Sequence, residues 1–138
     1  AESGLPIMSH TWALSSYNDS QKYAYPPRFE AYVKKYPQVT LICGHSGGRY
    51  YGIIEAARLA ASYKNVYLDT AGDVYDYKLI EYLTSTAGAD KILFGSDAMW
   101  FDPASQLGMI LGAGISEEDK EKMLFKNAVR VFGIEYRQ

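Results

Sequence analysis

Four short runs of apolar and β-branched residues punctuate the chain, over 5–8, 39–43, 66–68 and 91–94. They are mostly apolar along their length rather than alternating, which is the pattern of strands buried on both faces of a parallel sheet. Between them the apolar spacing changes to that of helices. Pro26 and Pro27 open a predicted helix over 28–36, with Phe29, Tyr32 and Val33 at i, i+3, i+4 and Pro37 ending it. Over 50–63, Ile53, Ile54, Ala57, Ala60 and Ala61 are expected to share one face; over 76–86, Leu79, Ile80 and Leu83 do, and Gly88 follows as a C-cap. Two more helices are predicted over 103–112 and 116–132, the second with Ser116 as N-cap ahead of Glu117, Glu118 and Asp119. Strand and helix alternate throughout, so the fold class is α/β, built of parallel (β/α) units with right-handed crossovers. At roughly 30 residues per unit, the chain holds about four.

The chemistry-bearing residues fall where the apolar runs stop. The first run ends in Ser9-His10, the second in Gly44-His45-Ser46-Gly47-Gly48, the third in Asp69-Thr70-Ala71-Gly72 and the fourth in Gly95-Ser96-Asp97. In a parallel sheet these four ends point the same way, so both histidines of the chain gather with two aspartates at one rim, where such folds place their sites. His10 is a metal ligand through a neutral imidazole nitrogen or a strand-end residue bonded to a carbonyl. His45 is a general acid/base or polarising group, or a satisfied histidine in a helix-entry loop. Asp97 binds a divalent cation or takes a proton, or it caps the next loop. Asp69 reads more readily as a turn-closing aspartate than as a functional one. Arg49 pairs with an anionic substrate or is solvated at a helix start. Trp12 and Trp100 wall a pocket or simply pack.

Composition narrows the function class. With 138 residues, 48% hydrophobic and 22% charged, the chain supports one core. Fourteen basic against 16 acidic residues, net charge −2, leave no basic surplus for nucleic acid and no charge block for a membrane surface. A small-molecule substrate is the better expectation. The single cysteine, Cys43, lies inside an apolar run as a small buried hydrophobe. No run reaches the ~20 apolar residues of a membrane span and Ala1 to Pro6 lacks a secretory pattern, so a cytoplasmic location is expected. Tyrosines number 13, against five phenylalanines and two tryptophans, which suggests half-buried positions with a wet end.

Taken together, Pro6-Ile7-Met8-Ser9-His10, then Leu41-Ile42-Cys43-Gly44-His45-Ser46-Gly47-Gly48, then Asn65-Val66-Tyr67-Leu68-Asp69-Thr70, then Lys91-Ile92-Leu93-Phe94-Gly95-Ser96-Asp97 resemble the amidohydrolase-related metal-dependent hydrolases. The similar branch is the one that includes aminocarboxymuconate-semialdehyde decarboxylase. The segment from Ile115 through Asn127 and Arg130 to Gly133 resembles that family's last helices. The resemblance implies a TIM-type (β/α)8 barrel of which this chain is the C-terminal half, strands five to eight, in a single partial domain. It implies His10 as the fifth-strand metal ligand, His45 as the histidine that polarises substrate or assists the attacking water, and Asp97 as a metal-binding, proton-shuttling aspartate. The implied cofactor is a divalent metal, zinc first and manganese second, which activates water and polarises a carbonyl. The implied reaction is hydrolysis of a small ester, amide or lactone, with metal-dependent decarboxylation as the alternative.

The family's first-strand His-x-His pair has no counterpart, because His10 and His45 are the only histidines. Ala1-Glu2-Ser3-Gly4 reads as the last turn of a helix leading into a strand. Both points lead to the expectation that an N-terminal half-barrel, or a second copy of the chain, completes the site. A non-catalytic half-barrel that self-associates through its open strand edges is the other expectation.

Overall fold

The structure is a computed structural model that describes residues 4–15, 18–19 and 21–135. The helical turn expected over 1–4 therefore lies almost wholly outside the described residues. Four strands form one sheet: β1 (Ile7–His10), β2 (Leu41–Gly44), β3 (Val66–Asp69) and β4 (Ile92–Leu93), in the order β1-β2-β3-β4. All three pairings are parallel, with Ile7 opposite Leu41, Leu41 opposite Val66 and Leu68 opposite Ile92. Strand order equals chain order, so each crossover steps to the next position in the sheet, as in a barrel built unit by unit.

The helices are α1 (Gln21–Ala24), α2 (Glu30–Lys35), α3 (Tyr51–Ser62), α4 (Leu79–Ala87), α5 (Pro103–Leu111), α6 (Glu117–Glu121) and α7 (Asn127–Phe132). A 3₁₀ turn over Pro26–Phe29 precedes α2, with the prolines at its first positions, where no intrahelical amide is needed. The helix expected to start at 76 begins at Leu79, since Lys78 is left-handed at φ 56°. The last expected helix runs through a π-helical stretch, Lys122–Lys126, between α6 and α7. Its N-cap is as expected, with Ser116 Oγ accepting the Asp119 amide at 3.1 Å. The short helix α1 has no sequence signal and was not expected.

Val66, Leu68 and Ile92 of the sheet pack against Ile53, Ala56, Ala57 and Ala60 of α3 and against Ile80 and Leu83 of α4. Ile110 and Met123 close the far side. Each fully buried aliphatic side chain contributes about 1.5–3 kcal/mol of transfer free energy. The buried stripe of α3 is shifted from the expected one: Ile54 and Ala61 are exposed, and Gly52, Ala56 and Leu59 are buried with Ile53, Ala57 and Ala60. Many tyrosines, among them Tyr23, Tyr50, Tyr51 and Tyr77, are exposed rather than half-buried.

The β1 edge differs from the interior of the sheet. Ile7 is 56% and Met8 58% exposed, and alternate residues of β1 face different hollows. Ile7 and Ser9 line an apolar groove of about 470 Å³ with Phe29, Tyr32 and Val33, whereas Met8 and His10 face the cleft at the strand ends. Of the expected apolar face of α2, only Val33 is buried.

Candidate active site

A cleft of about 300 Å³ opens at the C-terminal ends of the strands, lined by residues from all four: Met8 and His10, Gly44 and His45, Asp69 and Ala71, and Gly95, Ser96 and Asp97. The sheet thus brings His10, His45 and Asp97 to one hollow, and Asp69 with them.

His45 is held most firmly. It sits just beyond β2 in a left-handed conformation, φ 63°, followed by Ser46 at φ 46°. Such backbone costs of order 1–3 kcal/mol per residue and persists only where its surroundings over-determine it. The end of β3 supplies that restraint. The His45 amide donates to Asp69 Oδ1 at 2.7 Å, Ser46 Oγ donates to the Asp69 carbonyl at 2.5 Å, and His45 Nδ1 lies 3.0 Å from the Ala71 carbonyl. A carbonyl only accepts, so Nδ1 carries the proton, and in the neutral ring Nε2 keeps its lone pair. Gly72 must be glycine here, with φ 91° and His45 Nδ1 only 2.5 Å from where a Cβ would stand.

Asp69 is 3% exposed. Burial pushes its carboxyl above the usual carboxylate range; the His45 and Ala71 amides and the His45 ring pull it back, and the Asp97 charge pushes it further up. Its Oδ1 also accepts the Ala71 amide at 3.2 Å. The turn-closing aspartate read from the sequence is therefore present, but it closes the turn and grips the neighbouring strand with one oxygen. Two contributors had no assigned role in the sequence. Buried Thr11 donates to the Gly44 carbonyl at 2.6 Å and accepts the Gly47 amide at 2.9 Å, tying the end of β1 to the glycine turn. Gln106, from α5, donates to the Gly72 carbonyl at 2.5 Å and steadies the Ala71-Gly72 turn. The position of Thr11, next to His10, was the one available signal.

His10 is exposed, and its Nε2 lies 3.0 Å from Gln21 Oε1 of α1. Its ring stacks on Trp12, with centroids 5.6 Å apart and planes 9° from parallel, and meets His45 edge-on at 4.9 Å. Trp12 also meets His45 edge-on at 5.7 Å, so it walls the pair, and its ring occupies the space a Gly48 side chain would need. Asp97 is left-handed at φ 58°. The turn after it is closed by Ser96 Oγ, which accepts the Ala98 amide at 3.2 Å, and by the Asp97 carbonyl, which accepts the Trp100 amide at 3.0 Å. Asp97 is one of the residues that line the cleft. Arg49 and Trp100 are not brought to this hollow: Arg49 forms an ion pair with Asp73 beside a separate depression, and Trp100 is 83% exposed.

A family model described as amidohydrolase matches residues 1–134. The chain belongs to the amidohydrolase family. No curated protein sequence matches it. An uncharacterised TIM-barrel protein from Bordetella bronchiseptica superposes with a TM-score of 0.78 at 21% identity, over 96% of this amidohydrolase chain and 47% of its own. A 5-carboxyvanillate decarboxylase from Sphingomonas paucimobilis gives 0.70 at 18% identity, over 97% and 51%. A dihydroxybenzoic acid decarboxylase from a Polaromonas species, with bound manganese and the inhibitor 2-nitroresorcinol, gives 0.65 at 20% identity, over 94% and 50%. The amidohydrolase chain is thus α/β with a TIM-barrel-type parallel sheet and spans about half the length of these structures.

The donor set offers a cation only part of what it needs. Among the described residues, no group of three or more His, Cys, Asp or Glu side chains is placed to hold a metal ion, whereas a catalytic zinc takes three protein ligands. The Asp69 oxygen that faces His45 is already committed to two amides. Among the described residues no helix is long and apolar enough to cross a membrane.

Proposed function

We propose that this chain supplies one side of the catalytic rim of a metal-dependent amidohydrolase acting on a small ester, amide or lactone. The observation that carries the reading is the convergence of His10, His45 and Asp97, from three different strand ends, on one cleft. In this reading His10 and Asp97 are two ligands of a divalent cation, zinc or manganese, since imidazole and carboxylate donors suit both. The remaining ligands come from outside the described residues, from another part of the protein or from a second copy.

The roles of the chain's own groups follow from the hydrogen bonds. With Nδ1 committed to Ala71, His45 has Nε2 to receive or return a proton at the substrate. Asp97, whose carboxylate takes no part in closing its own turn, is the proton acceptor that the end of β4 brings to the same cleft. Trp12 limits the approach to the face beside His10. Arg49 and Trp100 lie outside this cleft, and substrate contact by either belongs to loops farther out on the rim.

Metal-dependent decarboxylation is the second reading, favoured by the names of two of the structural neighbours. The two readings separate in one assay of the protein with its rim complete: a panel of esters, lactones and amides against a panel of hydroxylated aromatic acids, with released carbon dioxide as the second readout. Asp97→Asn is expected to abolish whichever turnover is found. Near-normal activity in that variant removes Asp97 from the mechanism. A homodimer of this chain that retains no metal and turns over neither panel supports the self-associating half-barrel instead.

A further inference from the structure

We infer that Asp69 is the positioning residue for His45, fixing the imidazole in the tautomer that presents a bare Nε2 to the cleft. The inference rests on the proposed role of His45, and goes beyond it by assigning a function to a buried carboxylate outside the proposed ligand pair.

Three bonds join the end of β3 to the His45-Ser46 pair: Asp69 Oδ1 to the His45 amide, the Asp69 carbonyl to Ser46 Oγ, and the Ala71 carbonyl to His45 Nδ1. The first sets where the His45 backbone stands. The third sets which ring nitrogen carries the proton. They are coupled through Asp69, because the Oδ1 that holds the His45 amide also holds the Ala71 amide at 3.2 Å, on the peptide that enters Ala71, and so places the residue whose carbonyl, one peptide on, receives Nδ1–H. One carboxylate oxygen therefore holds the backbone of both residues joined by the tautomer-setting bond. Aspartate has the length for this from a buried strand end; glutamate would displace the oxygen by one methylene. The neighbouring backbone makes room for it, since a side chain at Gly95 would stand 2.9 Å from Asp69 Oδ2.

The test is imidazole ¹⁵N NMR of the full chain at mildly alkaline pH, where a histidine ring is neutral. In the unmodified protein His45 is expected to show a protonated Nδ1 and a bare Nε2, and a scalar coupling across the hydrogen bond is expected between the His45 amide nitrogen and Asp69 Cγ. Asp69→Ala is expected to move the two His45 ring nitrogens toward averaged shifts while those of His10 stay in place. Asp69→Asn keeps an Oδ1 acceptor and is expected to restore the original pattern. A His45 with its proton on Nε2, an absent coupling, or a folded Asp69→Ala protein that keeps the original tautomer overturns the inference. Should Asp69→Ala fail to fold, the coupling and tautomer of the unmodified protein decide the matter. No turnover enters the measurement, so a failed activity assay bears on the proposed reaction and leaves the tautomer result standing.

Discussion

The rings of His45 and His10 stand 4.9 Å apart, yet the chain holds them in different ways. His45 is gripped through its backbone by the carboxylate of Asp69, at the end of the adjacent buried strand, and through its ring by the Ala71 carbonyl just beyond it, while the Asp69 carbonyl holds its neighbour Ser46. His10 ends a strand whose apolar residues lie open, and Gln21, from the four-residue α1, meets its ring. Between β2 and β3 the chain satisfies its own polar groups and buries its own apolar ones. At the β1 edge the polar groups of His10 and Thr11 find partners, but the apolar side chains of Ile7 and Met8 stay exposed. One histidine of the cleft is thus held by a buried framework and the other stands on an open edge.

Stability measurements break this comparison most sharply. Leu83→Ala is expected to cost about 2–5 kcal/mol in urea unfolding, and Met8→Ala to stay within about 0.5 kcal/mol; a large loss at Met8 would show the β1 edge to be packed after all. At the rim itself, Asp69→Ala strands the His45 amide and is expected to cost about 1–3 kcal/mol, against about 0.5 kcal/mol or less for His10→Ala. The pH dependence has a definite sign. Because the folded Asp69 carboxyl titrates above its ordinary value of 3.8, the folded state binds more protons than the unfolded one in that window. Its contribution is fully present below that value and is lost as pH rises through the folded pKa. Asp69→Asn is expected to remove that downward slope, read from urea midpoints across the acid range. Smallest in energy is the behaviour of Cys43, whose thiol burial and the Asp69 charge push up to about 12. Iodoacetamide at neutral pH should leave it unlabelled in the native protein and label it fully in urea; labelling of the native chain would place β2 among the open elements.

The four strands, most helices and the gathering of His10, His45 and Asp97 were legible in the sequence because each follows from local pattern plus the common direction of parallel strands. The register of the boundaries was less so: His10 and Asp69 prove to be the last residues of their strands, since hydrogen bonding to the neighbouring strand continues beyond the apolar run. The grip on His45 was not legible, because its bonds span 23 to 26 residues and depend on left-handed backbone at two non-glycine positions. Gln21 lies in a segment with no distinguishing pattern and Gln106 inside the helix expected over 103–112, and the contacts of both exist only once the loops are placed. Arg49, expected to pair with an anionic substrate from its place after the glycine turn, stands ahead of α3 and pairs with Asp73 beside a separate depression.

The central claim, that this chain brings His10 and Asp97 together as part of a cation site, is tested most directly by titrating Mn²⁺ into the protein and following NMR line broadening. His10 and Asp97 are expected to broaden first and together, short of stoichiometric saturation, and Asp97→Asn to abolish the effect at both. Broadening spread over exposed carboxylates such as Glu117 and Glu118, with no preference for the strand-end cleft, would contradict it.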